Sequence, residues 1–88
     1  MKVAYTPRFI RMLKKLPTDL QDETIVRIEL FKEINNHRFI KVHKLKGRLR
    51  KYYGFWVDFH NRVTFEYLSD NEVVLLTVGD HHDAYKKI

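Results

Sequence analysis

Apolar residues recur at helical spacing in the first third of the chain and at alternating spacing in its second half. Met1 to Tyr5 alternates weakly and predicts a short strand. Thr6-Pro7 then signals a helix start, because threonine can cap and proline suits the first helical position. Phe9, Ile10, Leu13 and Leu16 follow at helical spacing, and Pro17 ends the segment. Thr18 with Gln21 has the spacing of a capping box. Leu20, Ile25, Ile28, Phe31 and Ile34 continue an apolar stripe up to Asn35-Asn36, which predicts the end of a second helix. Strand periodicity takes over beyond this point. Lys41 to Leu45 alternates, Gly47 marks a turn, and Tyr52 to Phe59 is aromatic and β-branched. Arg62 to Leu68 alternates cleanly, Ser69-Asp70-Asn71 makes a tight turn, and Glu72 to Val78 is strongly apolar. The predicted class is α+β: a short N-terminal strand, an antiparallel helical hairpin, then an antiparallel β-meander with the helices packed on one sheet face.

Composition narrows the class. The 88 residues suit one domain, residues 1–88, and 44% hydrophobic content supports a compact core. No apolar run approaches the roughly 18 residues of a membrane helix, and no secretory leader pattern is visible, so a cytoplasmic protein with no membrane partner is expected. The absence of cysteine excludes disulfides and thiolate metal sites. The net charge is +6, and it is concentrated: residues 37–51 carry seven Lys or Arg and no acid. Such a cluster attracts polyanions, nucleic acid above all; the competing reading is a solvated charged face.

The alternation on the Arg62–Leu68 segment assigns the faces. Val63, Phe65 and Tyr67 are expected under the helices, which leaves Arg62, Thr64 and Glu66 on the opposite side. The Tyr52–Phe59 segment has aromatic rings on both parities, so the face away from the helices is expected to keep some of them. Aromatics beside a basic loop are what unpaired nucleic acid needs, each stacked base being worth about 1–3 kcal/mol. The chain closes on Gly79-Asp80-His81-His82-Asp83-Ala84-Tyr85, a dense set of proton carriers at the end of a strand. By donor type, Asp80, His81, His82 and Asp83 could also bind zinc, but four adjacent residues rarely converge on one ion. No metal or other cofactor is expected.

The order strand, helical hairpin, His43-Lys44-Leu45-Lys46-Gly47, Arg62-Val63-Thr64-Phe65, and finally Gly79 to Tyr85 resembles the RelE/ParE superfamily of bacterial toxin–antitoxin toxins, with the His-x-Leu-x-Gly segment and C-terminal histidine closest to its YafQ-like branch. The resemblance implies a type II toxin that cleaves mRNA in the A-site of the 70S ribosome and is neutralised by a cognate antitoxin. It implies that His81 is the catalytic histidine, that Tyr85 stacks on or orients the substrate, that Arg62 holds phosphate, and that His43 assists. RelE-type members carry two alternating lysines on the middle strand; counting places Tyr53 and Phe55 there, and Trp56 and His60 at the positions of a further His and Asp of the YafQ-like branch.

These residues define an expected mechanism. RNA cleavage through its own 2′-hydroxyl needs a base, stabilisation of the charged phosphorane and protonation of the 5′-oxygen, and a placed histidine contributes roughly 10²–10⁴-fold. His81 is the expected acid or base, oriented by Asp80 or Asp83, with His43 or His60 as second proton carrier. Arg62 with Lys46 or Arg48 would hold the phosphate, and Arg50, Lys51, Tyr53 and Phe55 complete the expected substrate contacts. His82 and His37 are read as bystanders. Two other classes remain open: a ParE-like DNA gyrase inhibitor acting by binding alone, and an RNA- or partner-binding module without catalysis.

Overall fold

The computed structural model describes residues 1–88. Strand β1 (Lys2–Tyr5) leads into helix α1 (Pro7–Lys14) and helix α2 (Thr18–Phe31). Strands β2 (His43–Lys44), β3 (Tyr53–Trp56), β4 (Asn61–Ser69) and β5 (Glu72–Asp80) follow, and the chain ends in a short helix, α3 (His81–Lys86). The sheet order is β1-β5-β4-β3-β2. β2 to β5 form the expected antiparallel meander, while β1 adds to β5 in parallel, so the sheet is mixed.

Local chemistry sets the helix boundaries. The Thr6 hydroxyl accepts the Phe9 N–H at 3.0 Å, and Pro7 occupies the first helical position, as the sequence predicts. The expected capping box on α2 does not form. Pro17 takes the cap position with φ −54°, which moves Thr18 into the first turn, and Gln21 instead donates to the Leu16 carbonyl at 2.8 Å. The buried stripe of α2 also differs from expectation. Ile25 and Ile34 are exposed, and Thr24 is fully buried between Leu20 and Ile28 because its hydroxyl donates to the Leu20 carbonyl at 2.7 Å. His37 closes the helical half structurally: its Nε2–H donates to the Phe31 carbonyl at 2.7 Å and its ring stacks on Phe31.

The core lies between α1–α2 and one sheet face. Phe31 is its centre, with ring centroids 4.8 Å from Phe55 and 4.7 Å from Phe65. Val63 and Phe65 are fully buried there, as the alternation of β4 predicts. β5 carries one extra residue, Leu76, between the Thr64–Thr77 and Phe65–Leu75 pairs. That bulge reverses the parity of the strand, so that Leu75 and Val78 both reach the core.

Candidate active site around Tyr85

The sheet face away from α1 and α2 is floored by two cross-strand rows. One runs His43, Gly54, Thr64, Thr77; the next runs Trp56, Arg62, Gly79. Gly54 in the first row and Gly79 in the second leave room for what packs on them. A Cβ on Gly54 would lie 3.3 Å from the Val63 carbonyl oxygen, so a glycine here lets the neighbouring backbone approach closely, and His43 Cε1 lies over the same spot at ordinary contact, 3.6 Å. Gly79 has φ +154°, and its missing side chain admits α3, with Asp83 Cβ 3.5 Å from where a Cβ would be. The face is therefore not open along its whole length: α3 folds back across it and buries Ala84.

A short polar chain fastens that helix. The Thr77 hydroxyl donates to the Ala84 carbonyl at 2.7 Å. Thr77 thereby spends its one proton, so the adjacent Thr64 hydroxyl is the donor in the Thr64–Thr77 bond. At the other end of α3, Asp80 caps it by accepting the Asp83 N–H at 2.8 Å, and the His81 N–H donates to the His60 carbonyl at 3.1 Å. The segment read from sequence as a closing turn is thus a capped helix, held by β4, β5 and the β3–β4 turn.

α3 presents Tyr85 to the sheet. Its hydroxyl lies 3.4 Å from His43 Nε2, and its ring is 4.3 Å from the His81 imidazole, centroid to centroid. The tautomer of His43 follows from its other nitrogen. Nδ1 sits 2.8 Å from the Lys41 carbonyl, which only accepts, so Nδ1 carries a proton. In the neutral ring Nε2 is then the acceptor and Tyr85 the donor; in the imidazolium the direction reverses. Burial pushes the Tyr85 phenol above its usual range, and the nearby Arg62 charge offsets only part of that. The phenol is a neutral, two-way hydrogen-bonding group between two histidines.

Arg62 is 8% exposed, and its guanidinium stacks 4.0 Å from the Trp56 ring centroid. One of its nitrogens, Nη1, donates to the carbonyls of Asp58, Phe59 and Asn61, so the residue clamps the β3–β4 turn while keeping charge beside the site. No buried side-chain nitrogen or oxygen lacks a partner, so the remaining Arg62 donors reach solvent. Asp58 supports the same turn. Burial alone would raise its pKa, but hydrogen bonds from the Asn61 side chain and the His60 and Asn61 N–H groups outweigh that and lower it.

Tyr85 divides the surface into two shallow depressions. One, about 340 Å³, is lined by His43, Lys44, Lys46 and Tyr85. The other, about 320 Å³, is lined by Arg48, His81, Tyr85 and Lys86. The larger depression between α1 and α3, about 750 Å³, contains no histidine.

Several sequence expectations are corrected. Asp80 and Asp83 do not orient His81: Asp80 caps the helix and Asp83 lies 3.5 Å from the exposed His82. Asp80, His82 and Asp83 bring their donor atoms within 4.8 Å of one another, all solvent-exposed, and His81 is not among them. Phe55 is fully buried against Phe31, and Tyr53 packs on Phe65 and Tyr67 on the core side, so neither faces the cleft. The β3 residues on the same side of the sheet as His43 and Arg62 are Gly54 and Trp56, one register step from the expected pair, and neither lines the depressions beside Tyr85. Arg50 and Lys51 are exposed outside both depressions, with Lys51 over the Tyr52 ring. Lys46 and Arg48 line the two depressions, one on each side of Tyr85. The sequence reading missed Gly54 and Trp56 as site residues. An isolated glycine inside an aromatic strand was the available signal, since it marks a close approach.

With this geometry in place, the comparisons are decisive about architecture. A conserved protein of Helicobacter pylori, HP0894, superposes with a TM-score of 0.70 at 18% identity, covering 93% of this chain and 96% of that one. YafQ from E. coli gives 0.69 at 17%, covering 93% and 94%. YoeB in the YoeB–YefM complex from Staphylococcus aureus gives 0.71 at 16%, covering 92% and 97%. This is the RelE-like toxin fold. No protein-family sequence profile matches the chain. A UPF0597 protein of Fervidobacterium nodosum is 34% identical over 61 residues, 69% of this chain, but the chain spans only 14% of that protein's length. No helix is long and apolar enough to cross a membrane.

Proposed function

We propose that this chain is the toxin of a type II toxin–antitoxin pair and cleaves mRNA in the ribosomal A-site. The observation that carries the reading is the contiguous His43–Tyr85–His81 group, flanked by Lys46 and Arg48 and backed by Arg62, on the free side of a RelE-like sheet. In the reaction, one imidazole takes the proton of the RNA 2′-hydroxyl. The resulting oxyanion attacks the adjacent phosphorus, and the bond to the 5′-oxygen breaks as a protonated imidazole supplies its proton. The products are a 2′,3′-cyclic phosphate and a free 5′-hydroxyl.

His81, exposed beside Tyr85, and His43, fixed as its Nδ1–H tautomer, serve as the two proton carriers. Tyr85 bridges them and positions the nucleotide. The free Arg62 donors and the Lys46 and Arg48 charges stabilise the phosphorane. His60 is held by its main chain at the start of α3 and lies at the edge of the same surface.

Several structural neighbours are toxin–antitoxin complexes, which supports an antitoxin partner for this chain. An acidic antitoxin segment suits residues 37–51 and would occlude the cleft by charge complementarity. The test is purified protein on programmed ribosomes, with cut sites mapped by primer extension. Cleavage confined to the A-site codon is expected. Uncut mRNA together with inhibition of DNA gyrase would replace this reading with the ParE-like one.

A further inference from the structure

A second aromatic cluster lies beside the cleft. Phe39 and Phe59 come from different segments and are 67% and 74% exposed, yet both line one depression of about 250 Å³ with Trp56. Phe59 meets Trp56 edge to face, with centroids 6.0 Å apart and planes at 82°. Cations surround the rings. The Lys41 ammonium lies 5.3 Å from the Trp56 centroid, the Arg62 guanidinium 4.0 Å, and the Arg27 guanidinium 5.3 Å from Phe39. Arg27 is bridged to Glu23 at 2.8 Å, and the Asp58 carboxylate lines the same depression with Oδ1 held by donors of its own turn. Lys41 and Arg62 are therefore the cations beside Trp56 that no acid bridges.

The cluster is tied to the cleft at three points. Trp56 stacks on Arg62. The Lys41 carbonyl fixes His43. The turn that carries Phe59 also offers the His60 carbonyl to the first residue of α3. Lys41 has φ +59°, a conformation a non-glycine residue rarely adopts, and it is the residue that faces both sites.

We infer that Phe39, Trp56 and Phe59 form a stacking subsite for an unpaired base of the RNA strand flanking the cleaved phosphate. Exposed rings offer every base a sequence-tolerant face, and the surrounding cations neutralise the phosphates on either side. The position of the base relative to the cut rests on the ribonuclease reading; binding of an unpaired base does not.

Trp56 is the chain's one tryptophan, so its fluorescence reports the subsite directly. The probe is hexaadenylate, titrated into the full chain and into its His81→Ala variant, which removes cleavage but not the subsite. Saturable quenching is expected in both. Phe59→Ala and Phe39→Ala should each weaken it about 5- to 100-fold, and Phe59→Tyr should restore it. Both phenylalanines are exposed, and circular dichroism checks that the variants remain folded. Duplex RNA should not compete.

Quenching that is absent, or unmoved by either alanine variant, overturns the subsite even if ribosomal cleavage is intact. Quenching that behaves as expected in a protein that cuts no mRNA supports the subsite and overturns the ribonuclease reading alone. An acidic peptide that quenches Trp56 where hexaadenylate does not would assign the cluster to a protein partner and overturn the inference.

Discussion

The two faces of β4 are built by different physics. Val63 and Phe65 point into a closed aromatic core, where Phe31, Phe55 and Phe65 are fully buried. Arg62 and Thr64, their immediate neighbours in sequence, point the other way and meet hydrogen bonds, a stacked tryptophan and a six-residue helix. Apolar area holds the first face, and it has no chemistry to offer. Directional contacts hold the second, each modest in strength, and they position the polar groups of the proposed site. The apolar core and the proposed site are therefore built from alternate residues of one strand.

Substitutions should break that comparison unequally. Phe31→Ala removes the ring at the centre of the core and should cost about 3–5 kcal/mol, read as a lower denaturant midpoint. A loss below about 1 kcal/mol would show that the core does not depend on this ring. Thr77→Val, on the other face, leaves the Ala84 carbonyl and the Thr64 hydroxyl without their partner and should cost about 1–3 kcal/mol. Its signature is local: amide exchange should accelerate in α3 while the β4–β5 ladder stays protected. Uniform acceleration would mean that α3 and the core open as one unit.

Smaller effects sharpen the contrast. Gly54→Ala places a methyl group 3.3 Å from the Val63 carbonyl oxygen, a backbone atom of the ladder that must give way, while its 3.6 Å approach to His43 Cε1 is ordinary contact. It should therefore lower the melting temperature slightly and leave the His43 and Tyr85 side-chain resonances nearly in place. An unchanged melting temperature would show that the β3–β4 ladder does not depend on the glycine.

The pH responses of the two stabilised groups have opposite signs. Tyr85 has a raised pKa when folded, so its contribution is complete up to the ordinary phenol range and is lost as pH climbs through the raised value. Asp58 has a lowered one, so its contribution is present above the ordinary carboxylate range and is lost as pH falls through the lowered value. Phenolate absorbance should contain a component above the ordinary phenol range that Tyr85→Phe reduces, and the acid-side loss in Asp58→Asn should be smaller than in the parent. Asp58 is largely exposed, so its effect is the slightest of these.

The same contrast explains what could be read from sequence. Thr6-Pro7, the meander and the inward parity of Val63 and Phe65 were legible because one period dominated each segment. β3 was not, because Tyr53, Phe55 and Trp56 supply aromatics to both parities, and only pairing to β4 decides that Trp56 lies on the Arg62 side of the sheet. The β5 bulge at Leu76 was hidden inside a continuous apolar run. α3 was invisible as a helix, since six residues with a single buried alanine carry no periodic signal. The sequence singles out His81, Tyr85, His43 and Arg62, and the fold brings His43, Tyr85 and His81 together. Their arrangement was not legible: Tyr85 rather than an aspartate is what His81 contacts.

The most direct measurement is the single-turnover rate of mRNA cleavage on programmed ribosomes by the His81→Ala and His43→Ala variants, with melting temperatures recorded alongside. The account predicts a fall of about 10²–10⁴-fold for each variant at an essentially unchanged melting temperature. Cleavage at the parental rate by either folded variant would contradict the assignment of the two histidines as proton carriers.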